Sequence, residues 1–269
     1  MAKLGYNNAP SLTYWWLDSY LDFNDTQTPR VRADLEQLHQ WHRANELPAY
    51  ANTLAQWQRA ALTDLSGEEV CTLMDRIRPR LSALLDQAEP TMAALVPTLK
   101  PEQLAHLGRQ FDKRNQKWRE EWLDGTPDER QARRLKQLTE RSEMLYGRLD
   151  EAQRTLLATG LAASVFDARQ TYRENLRRQQ DTLQTLRLLQ TAALTEIQQQ
   201  AQWRALLART LTSPDRSYEI YREHTTRVNC QAFADLHNRT TPAQRLKAVA
   251  VLKGYEEDAR TLMAERPLR

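Results

Sequence analysis

The residues whose types and spacing come closest to a chemical site are His39, His42 and Glu46. On a helix, spacings of three and four residues place all three side chains on one face, as metal sites in helical bundles can require. The two histidines lack the spacing of the zinc-protease motif, and no further cluster of ligands is identifiable in the sequence. We therefore expect no metal and no cofactor; if a metal were bound, these three residues would be the candidate ligands.

A pair of carboxylates offers the second possible chemistry. Asp18 and Asp22 are four residues apart and could act as a general acid and a general base. The sequence contains no glycine-rich phosphate loop, no G-x-S-x-G elbow and no Cys-x-x-Cys pair. We therefore expect a protein that is not an enzyme. The enzymatic alternative requires two of Asp18, Asp22, His42 and Glu46 to converge in a cleft.

Aromatic side chains form two clusters that could bind a partner. Trp15 and Trp16 lie in the opening segment, and one of them should be partly exposed or covered by a second helix, because adjacent helix positions differ in direction by about 100°. The second cluster contains Phe111, Trp118 and Trp122 among basic residues. The candidate binding residues are Trp15, Trp16, Asp18, His42, Glu46, Tyr50, Phe111, Trp118 and Trp122.

The second cluster has two interpretations. It could form an aromatic, basic surface that grips a peptide, a lipid headgroup or a nucleic acid. Alternatively, its aromatic residues enter the core while Lys113, Lys117 and the neighbouring arginines pair with Glu120, Glu121 and Asp124. Opposite charges stand at i, i+3 and i, i+4, so the second interpretation is favoured.

Composition indicates an all-α protein. Only 7 of the 269 residues are glycine, about a third of the usual share of roughly 7%, while helix-forming residues dominate. The net charge of +3 comes from 38 basic and 35 acidic side chains that are interspersed along the chain, so we expect no nucleic-acid partner. No apolar run approaches the roughly 20 residues that cross a bilayer. We expect an elongated bundle of about eight to ten kinked, amphipathic helices with coiled-coil-like packing.

Polar residues followed by proline or a small residue mark the helix starts. Ser66 with Glu69, and Thr241 with Gln244, have the pattern of a capping box. Pro48 and Pro79 should split two long helices, and Gly160 with Ser164 a third. The expected helices span about residues 10–22, 29–62, 66–97, 101–123, 127–148, 150–190, 192–211, 214–238 and 242–264.

The chain is expected to form one domain, residues 1–269, with a hinge or subdomain boundary near residues 89–101, where three prolines cluster. Cys71 and Cys230 could form a disulfide or act as two small buried hydrophobes, and the sequence leaves both open. Leucines at helical spacing predict two core seams. The seams are Leu176, Leu183, Leu186 and Leu189, and Leu135, Leu138, Leu145 and Leu149.

The opening block resembles the start of an uncharacterised family of proteobacterial lipoproteins that carry a domain of unknown function. The residues that carry the resemblance are Leu4 to Asn8, Trp15 to Asp18, Tyr20, Trp41 to Arg43 and Glu46 to Tyr50. Residues 111–122, 218–237 and 241–255 are similar to the same family. Residues 99–103 and 240–244 resemble more weakly the repeated Leu-Thr-x-x-Gln motif of Spy and CpxP, which are periplasmic helical proteins.

The resemblance implies a precursor whose signal peptide and lipidated cysteine come before the present Met1. It thereby implies a periplasmic domain that a lipid tethers to a membrane, expected to be the outer one; the sequence itself contains neither feature. We expect a non-enzymatic envelope lipoprotein domain that binds a protein partner or client with chaperone-like action. The alternative is a small-ligand or metal-binding helical protein with its site near the aromatic, histidine and glutamate residues of the N-terminal segment.

Overall fold

The computed structural model describes residues 2–191 and 194–265, and the regular structure in these ranges is helical throughout. The predicted all-α helical bundle is confirmed, and its thirteen α-helices in the described ranges slightly exceed the expected number. The helices are α1 Ala2–Asn7, α2 Ala9–Leu21, α3 Thr28–Asn45, α4 Leu47–Ala60, α5 Gly67–Asp75, α6 Arg78–Leu95, α7 Pro101–Trp122, α8 Pro127–Tyr146, α9 Glu151–Ala162, α10 Ala168–Thr191, α11 Glu196–Leu211, α12 Arg216–Asn238 and α13 Pro242–Ala264, with a 3₁₀ turn at Val96–Thr98 between α6 and α7.

The three expected interruptions occur where the sequence places them. Pro48 is the second residue of α4, just after the break that ends α3, and Pro79 lies in the first turn of α6. The third break comes at residues 163–167, beside Ser164 and after Gly160. Pro90, by contrast, lies inside α6. The hinge near residues 89–101 stays a prediction, as does the single-domain organisation.

Most helix starts also agree with the capping signals. The capping boxes of Ser66 with Glu69, and of Thr241 with Gln244, are both formed. At two starts, the polar residue before a proline does not cap the helix. Thr28, before Pro29, lies inside the first turn of α3. Asp215, rather than Ser213 before Pro214, caps α12 by accepting hydrogen bonds from two backbone N–H groups.

The apolar side chains form two large cores and several smaller ones in the described chain. Leu183, Leu186 and Leu189 pack with Leu104 and Leu107 where α7 meets α10. A second large cluster joins α8, α9, α12 and α13, and it contains Leu135, Leu145 and Leu149. Leu138 and Leu176 were expected in the seams but are 37% and 38% exposed, so each seam is interrupted at one position.

A disulfide links Cys71 of α5 to Cys230 of α12, with their Cα atoms 5.5 Å apart. The sequence left this bond open, and the structure contains it. The bonded cysteines lie beside Val70 and Ala234, which form a small core between the two helices. The bridge joins residues that are 159 positions apart, and so it restricts a large part of the unfolded chain.

The packing of α13 along α4 brings distant parts of the chain together. Leu47 and Ala51 of α4 form a core with Ala259 and Leu262 of α13. Helix α1 contacts the same end of α13, so the first and last parts of the described chain meet there. No helix within the described ranges is long and apolar enough to span a bilayer.

A buried histidine connects α12 to two other segments. His237 Nε2 donates a hydrogen bond to the Thr63 carbonyl over 2.8 Å, and His237 Nδ1 lies 3.0 Å from the Tyr146 hydroxyl of α8. The carbonyl can only accept, so the neutral imidazole places its proton on Nε2 and accepts from Tyr146 on Nδ1. Burial lowers the pKa of His237 and keeps the ring neutral.

This geometry predicts that the protein loses stability in mild acid. The unfolded chain binds a proton at His237 near pH 6.5, whereas the folded chain binds it only at lower pH, so stability is full above about pH 6.5 and falls below it. Urea unfolding from about pH 7.5 to about pH 5 should show this decrease. His237→Asn should be less stable at the higher pH but less sensitive to acid. Equal pH slopes for the two proteins would contradict the assignment.

Candidate aromatic groove

An open groove of about 740 Å³ runs between α2, α7 and α10. Its floor belongs to the apolar core in which Leu107 of α7 packs with Leu186 of α10. We call it the aromatic groove after its aromatic lining. These residues are Trp16, Tyr20, Phe111, Trp118 and Trp203.

The wall formed by α2 is held in place by Gln103, a buried residue in the first turn of α7. Its Nε2 donates to the carbonyls of Leu21 and Asp22, over 2.8 Å and 2.9 Å, where α2 ends. Its Oε1 accepts from the Lys100 N–H over 2.9 Å, which caps the start of α7. One side chain therefore joins the end of α2 to the beginning of α7.

A second buried amide extends this junction. Gln27, just before α3, donates from Nε2 to the Thr98 carbonyl over 2.9 Å and lies within hydrogen-bond distance of Gln103. Both glutamines are buried, at 4% and 6% exposure. Since buried amides are costly unless they are hydrogen-bonded, the pair defines how α2, α3 and α7 meet.

The aromatic lining continues from α2 onto α7. The ring centroids of Trp16 and Tyr20 are 5.1 Å apart, and those of Tyr20 and Phe111 are 6.3 Å apart. Further along α7, Trp118 stacks on Trp122 at 5.3 Å. These contacts hold large, rigid side chains in fixed positions, which favours binding because little side-chain freedom remains to be lost.

Polar side chains from α7 and α10 meet within the groove. Asn115 Nδ2 donates to Gln179 Oε1 over 2.7 Å, and Gln179 Nε2 donates back to Asn115 Oδ1 over 2.9 Å. The amide groups therefore satisfy each other across the interface between the two helices. The pair fixes the α7–α10 spacing without placing a charge on the floor.

The charged lining is mainly basic. It contains Arg114, Lys117 and Arg178 but only one carboxylate, that of Glu121. Arg178 Nε donates to the buried Glu174 over 2.7 Å, and Gln137 donates to Glu121 over 3.2 Å. Within the described chain, neither Arg114 nor Lys117 has a carboxylate within 4.0 Å.

The favoured interpretation of the α7 cluster was therefore wrong in its charge pairing. Lys113 and Lys117 form no ion pair with a described carboxylate, and the expected partner Glu120 instead accepts from Gln116 over 2.9 Å. The aromatic residues do pack, but they are only half-buried. Trp122 turns towards Phe166 at 5.5 Å, while Phe111 and Trp118 line the groove.

Both tryptophans of the opening segment are exposed. Trp15 and Trp16 are 61% and 56% exposed, while the preceding Tyr14 takes the buried position of α2. Tyr14 packs against Phe23 and its hydroxyl lies 3.0 Å from Thr28 Oγ1. Only Trp16 of the two lines the groove.

The histidine and glutamate candidates lie in a different place, where α1 packs on α3 and α4. The Tyr6 hydroxyl lies 2.9 Å from His42 Nδ1, and the Tyr6 ring is 4.6 Å from that of His39. The ring of Tyr50 also stacks on that of His42, with their centroids 5.7 Å apart. Burial raises the pKa of Tyr6 to about 12 and lowers the pKa values of His39 and His42, so these groups are neutral near pH 7.

Charged residues complete this packed junction. Buried Arg43 donates to the carbonyls of Leu262 and Glu265 at the end of α13, and to Asn7 Oδ1 over 2.6 Å. Buried Glu46 faces Arg80 at 3.6 Å. Among the described residues, no group of three His, Cys, Asp or Glu side chains is arranged to hold a metal ion. The small-ligand alternative at this junction stays a prediction.

Asp18 of α2 and Asp22, the residue just after it, shape the end of this helix. Asp18 Oδ1 accepts from the Phe23 N–H over 2.9 Å, just after the helix ends. Asp22 adopts a left-handed conformation with φ of 50°, which turns the chain away from α2. No hydrogen bond or ion pair in the described part of the chain connects either residue to His42 or Glu46.

Sequence reasoning missed four residues that build the groove. Trp203 was not singled out because it stands alone in α11, far along the chain from the other aromatic residues. Gln103 was visible in the sequence as part of a helix start, but no sequence pattern indicated its hydrogen bonds to the end of α2. The reciprocal pair of Asn115 and Gln179 depends on the register between α7 and α10, which periodicity within each helix does not determine.

Comparison with known protein families identifies the chain as a member of one. The family of unknown function DUF6279 matches residues 19–209, more than half of the sequence, and the chain belongs to this family. The match includes all of the aromatic lining except Trp16. No curated protein and no solved structure gives a significant match.

The hydrogen bonds of Gln103 to the end of α2, which we call the Gln103 clamp, should contribute measurably to stability. Gln103→Ala should lower the unfolding free energy by about 1–3 kcal/mol, because the carbonyls of Leu21 and Asp22 lose a buried donor. Chemical denaturation measures this change. Gln116→Ala, an exposed glutamine on the same helix, is the control and should change stability by about 0.5 kcal/mol or less. Equal effects of the two substitutions would exclude the clamp.

Proposed function

We propose that this protein is a non-enzymatic component of the cell envelope that binds other proteins in the aromatic groove, with chaperone-like action. The single observation that carries the proposal is the groove itself. It combines exposed Trp16 and half-buried Phe111 and Trp118 with unpaired basic side chains in the described chain. Tryptophan, tyrosine and arginine are the residue types most enriched at the energetic centres of protein interfaces.

The size and chemistry of the groove support binding of varied segments. A volume of about 740 Å³ suits several large side chains, and the opening to solvent lets a chain enter from the side. Met92 contributes a flexible, polarizable side chain to the lining. A surface of this kind can adapt to different apolar segments, as chaperone-like binding requires.

The disulfide supports a location outside the cytoplasm. Disulfides persist in oxidising compartments such as the bacterial periplasm and are rare in the reducing cytoplasm. The bond between Cys71 and Cys230 fits a periplasmic protein that a lipid tethers to a membrane, the location implied by the resemblance of the opening block to lipoproteins. The outer membrane is the proposed site of the tether.

Substitution within the groove should reduce chaperone-like action. Light scattering from a thermally unfolding client enzyme should fall when the wild-type protein is added, and Trp16→Ala combined with Trp118→Ala should remove most of this protection, because both anchors are lost. Trp15→Ala is the matched control, since Trp15 is as exposed as Trp16 but lies outside the groove. An equal loss of protection with Trp15→Ala, or no protection by the wild type, would contradict the proposal.

Thiol trapping tests the location independently. Cells that produce the protein from its own gene are quenched with acid, and the protein is denatured without reductant before alkylation, because Cys230 is buried in the folded protein. We expect Cys71 and Cys230 to resist alkylation because they are joined by the disulfide, which forms after export. Cys71→Ser frees Cys230 and provides the positive control for labelling. Alkylation of both cysteines in the wild-type protein would place it in a reducing compartment and contradict the envelope location.

A further inference from the structure

We infer that the aromatic groove receives an acidic amphipathic helix from a partner protein. This inference rests on the proposed function and specifies the chemistry of the partner. The apolar face of such a helix would enter between α2 and α10, while its carboxylates would meet the basic residues of the rim. The charge of the lining, the dimensions of the groove and the helical fold all favour this occupant.

The charge balance of the lining selects an acidic partner. Arg114 and Lys117 are exposed and stand three residues apart on α7, so they form a short row along one rim. Neither has a carboxylate within 4.0 Å in the described chain, whereas Arg178, the third cation of the lining, is already paired with Glu174. Glu121 is the single carboxylate in the lining. Charge complementarity therefore favours acidic residues on the occupant and disfavours basic ones.

The dimensions suit one face of a helix. The lining extends from Leu107 to Glu121 on α7 and from Thr171 to Leu186 on α10. At 1.5 Å per residue each wall is roughly 20 Å long. A helix of that length and about 10 Å in diameter occupies roughly 1,600 Å³. The groove of about 740 Å³ therefore holds the inserted half of such a helix and leaves its other half in solvent.

The fold favours helix binding over strand addition. An extended peptide gains its affinity by pairing with a free sheet edge, and the described part of this chain contains no strand. A helix instead satisfies its own backbone hydrogen bonds and presents anchors at i, i+3 or i+4, and i+7. These anchors match the aromatic lining, whose members come from three different helices, α2, α7 and α11, around the opening.

Two synthetic peptides test the inference directly. Each has about 15 residues, leucine and phenylalanine anchors at helical spacing and a helix-stabilising crosslink; one carries glutamate at the polar positions and the other carries lysine. Fluorescence anisotropy with the full chain should give at least about tenfold tighter binding of the acidic peptide at low salt. The difference should shrink at about 0.5 M salt because the rim charges are exposed.

Charge reversal on the rim provides the decisive variant. Arg114→Glu combined with Lys117→Glu should invert the preference, so that the lysine peptide binds more tightly than the glutamate peptide. Arg109→Glu combined with Lys113→Glu is the matched control, with the same change in net charge at exposed positions of α7 outside the groove. The control should keep the preference for the acidic peptide. Circular dichroism and thermal unfolding verify that both variants fold.

Three outcomes would overturn the inference, and they separate it from the proposed function. Equal binding of both peptides, weakened by Trp16→Ala, would reject the acidic partner but keep protein binding in the groove. Binding of phosphatidylglycerol vesicles that is lost with the rim reversal, without binding of either peptide, would assign the groove to lipid and reject both. Concentration-dependent dimerisation that Trp16→Ala abolishes, without peptide binding, would assign it to a second copy of the chain.

Discussion

The groove depends on the hydrogen bonds of one buried amide, that of Gln103. Its carbonyl oxygen caps the start of α7, and its NH₂ group binds the last carbonyls of α2. Helix ends leave backbone groups without partners, and here one side chain satisfies both ends at once. The position of the α2 wall, and with it the exposure of Trp16 and Tyr20 along the groove, follows from this junction.

Glutamine side chains that cap a helix start and also bond to another segment occur again beside the second large core, that of α8, α9, α12 and α13. Gln153 and Gln244 each occupy the fourth position of a capping box, at the starts of α9 and α13, and their side chains bond to each other over 2.7 Å and 2.9 Å. Gln244 also donates to the Arg148 carbonyl over 3.0 Å. Capping glutamines thus join helix starts to neighbouring segments both at the α2–α7 junction and at the α9–α13 junction. This sharing lets short helices pack closely with few unsatisfied backbone groups.

Local sequence rules predicted most helix starts and breaks, whereas they predicted few of the contacts that build the groove. Helix starts and breaks depend on neighbouring residues, so proline, capping residues and composition predicted them well. The bonds of Gln103 to α2, and the pairing of Asn115 with Gln179, depend on how distant helices align. Trp16, Phe111 and Trp118 were recognised as candidates, but they were grouped with His42 and Glu46, which lie in a separate packed junction. Spacing along the chain could not separate these two places.

Hydrogen–deuterium exchange of the full chain with an unfolding client protein shows directly whether the client binds in the aromatic groove. We expect the client to slow exchange in α2, in the second half of α7 and in α10, the helices that line the groove. Exchange at the exposed face of α8 around Met144, which is 70% exposed, should not change. Protection centred on α8, or an unchanged exchange pattern in α2, α7 and α10 with the client bound, would contradict the assignment of the groove as the binding site.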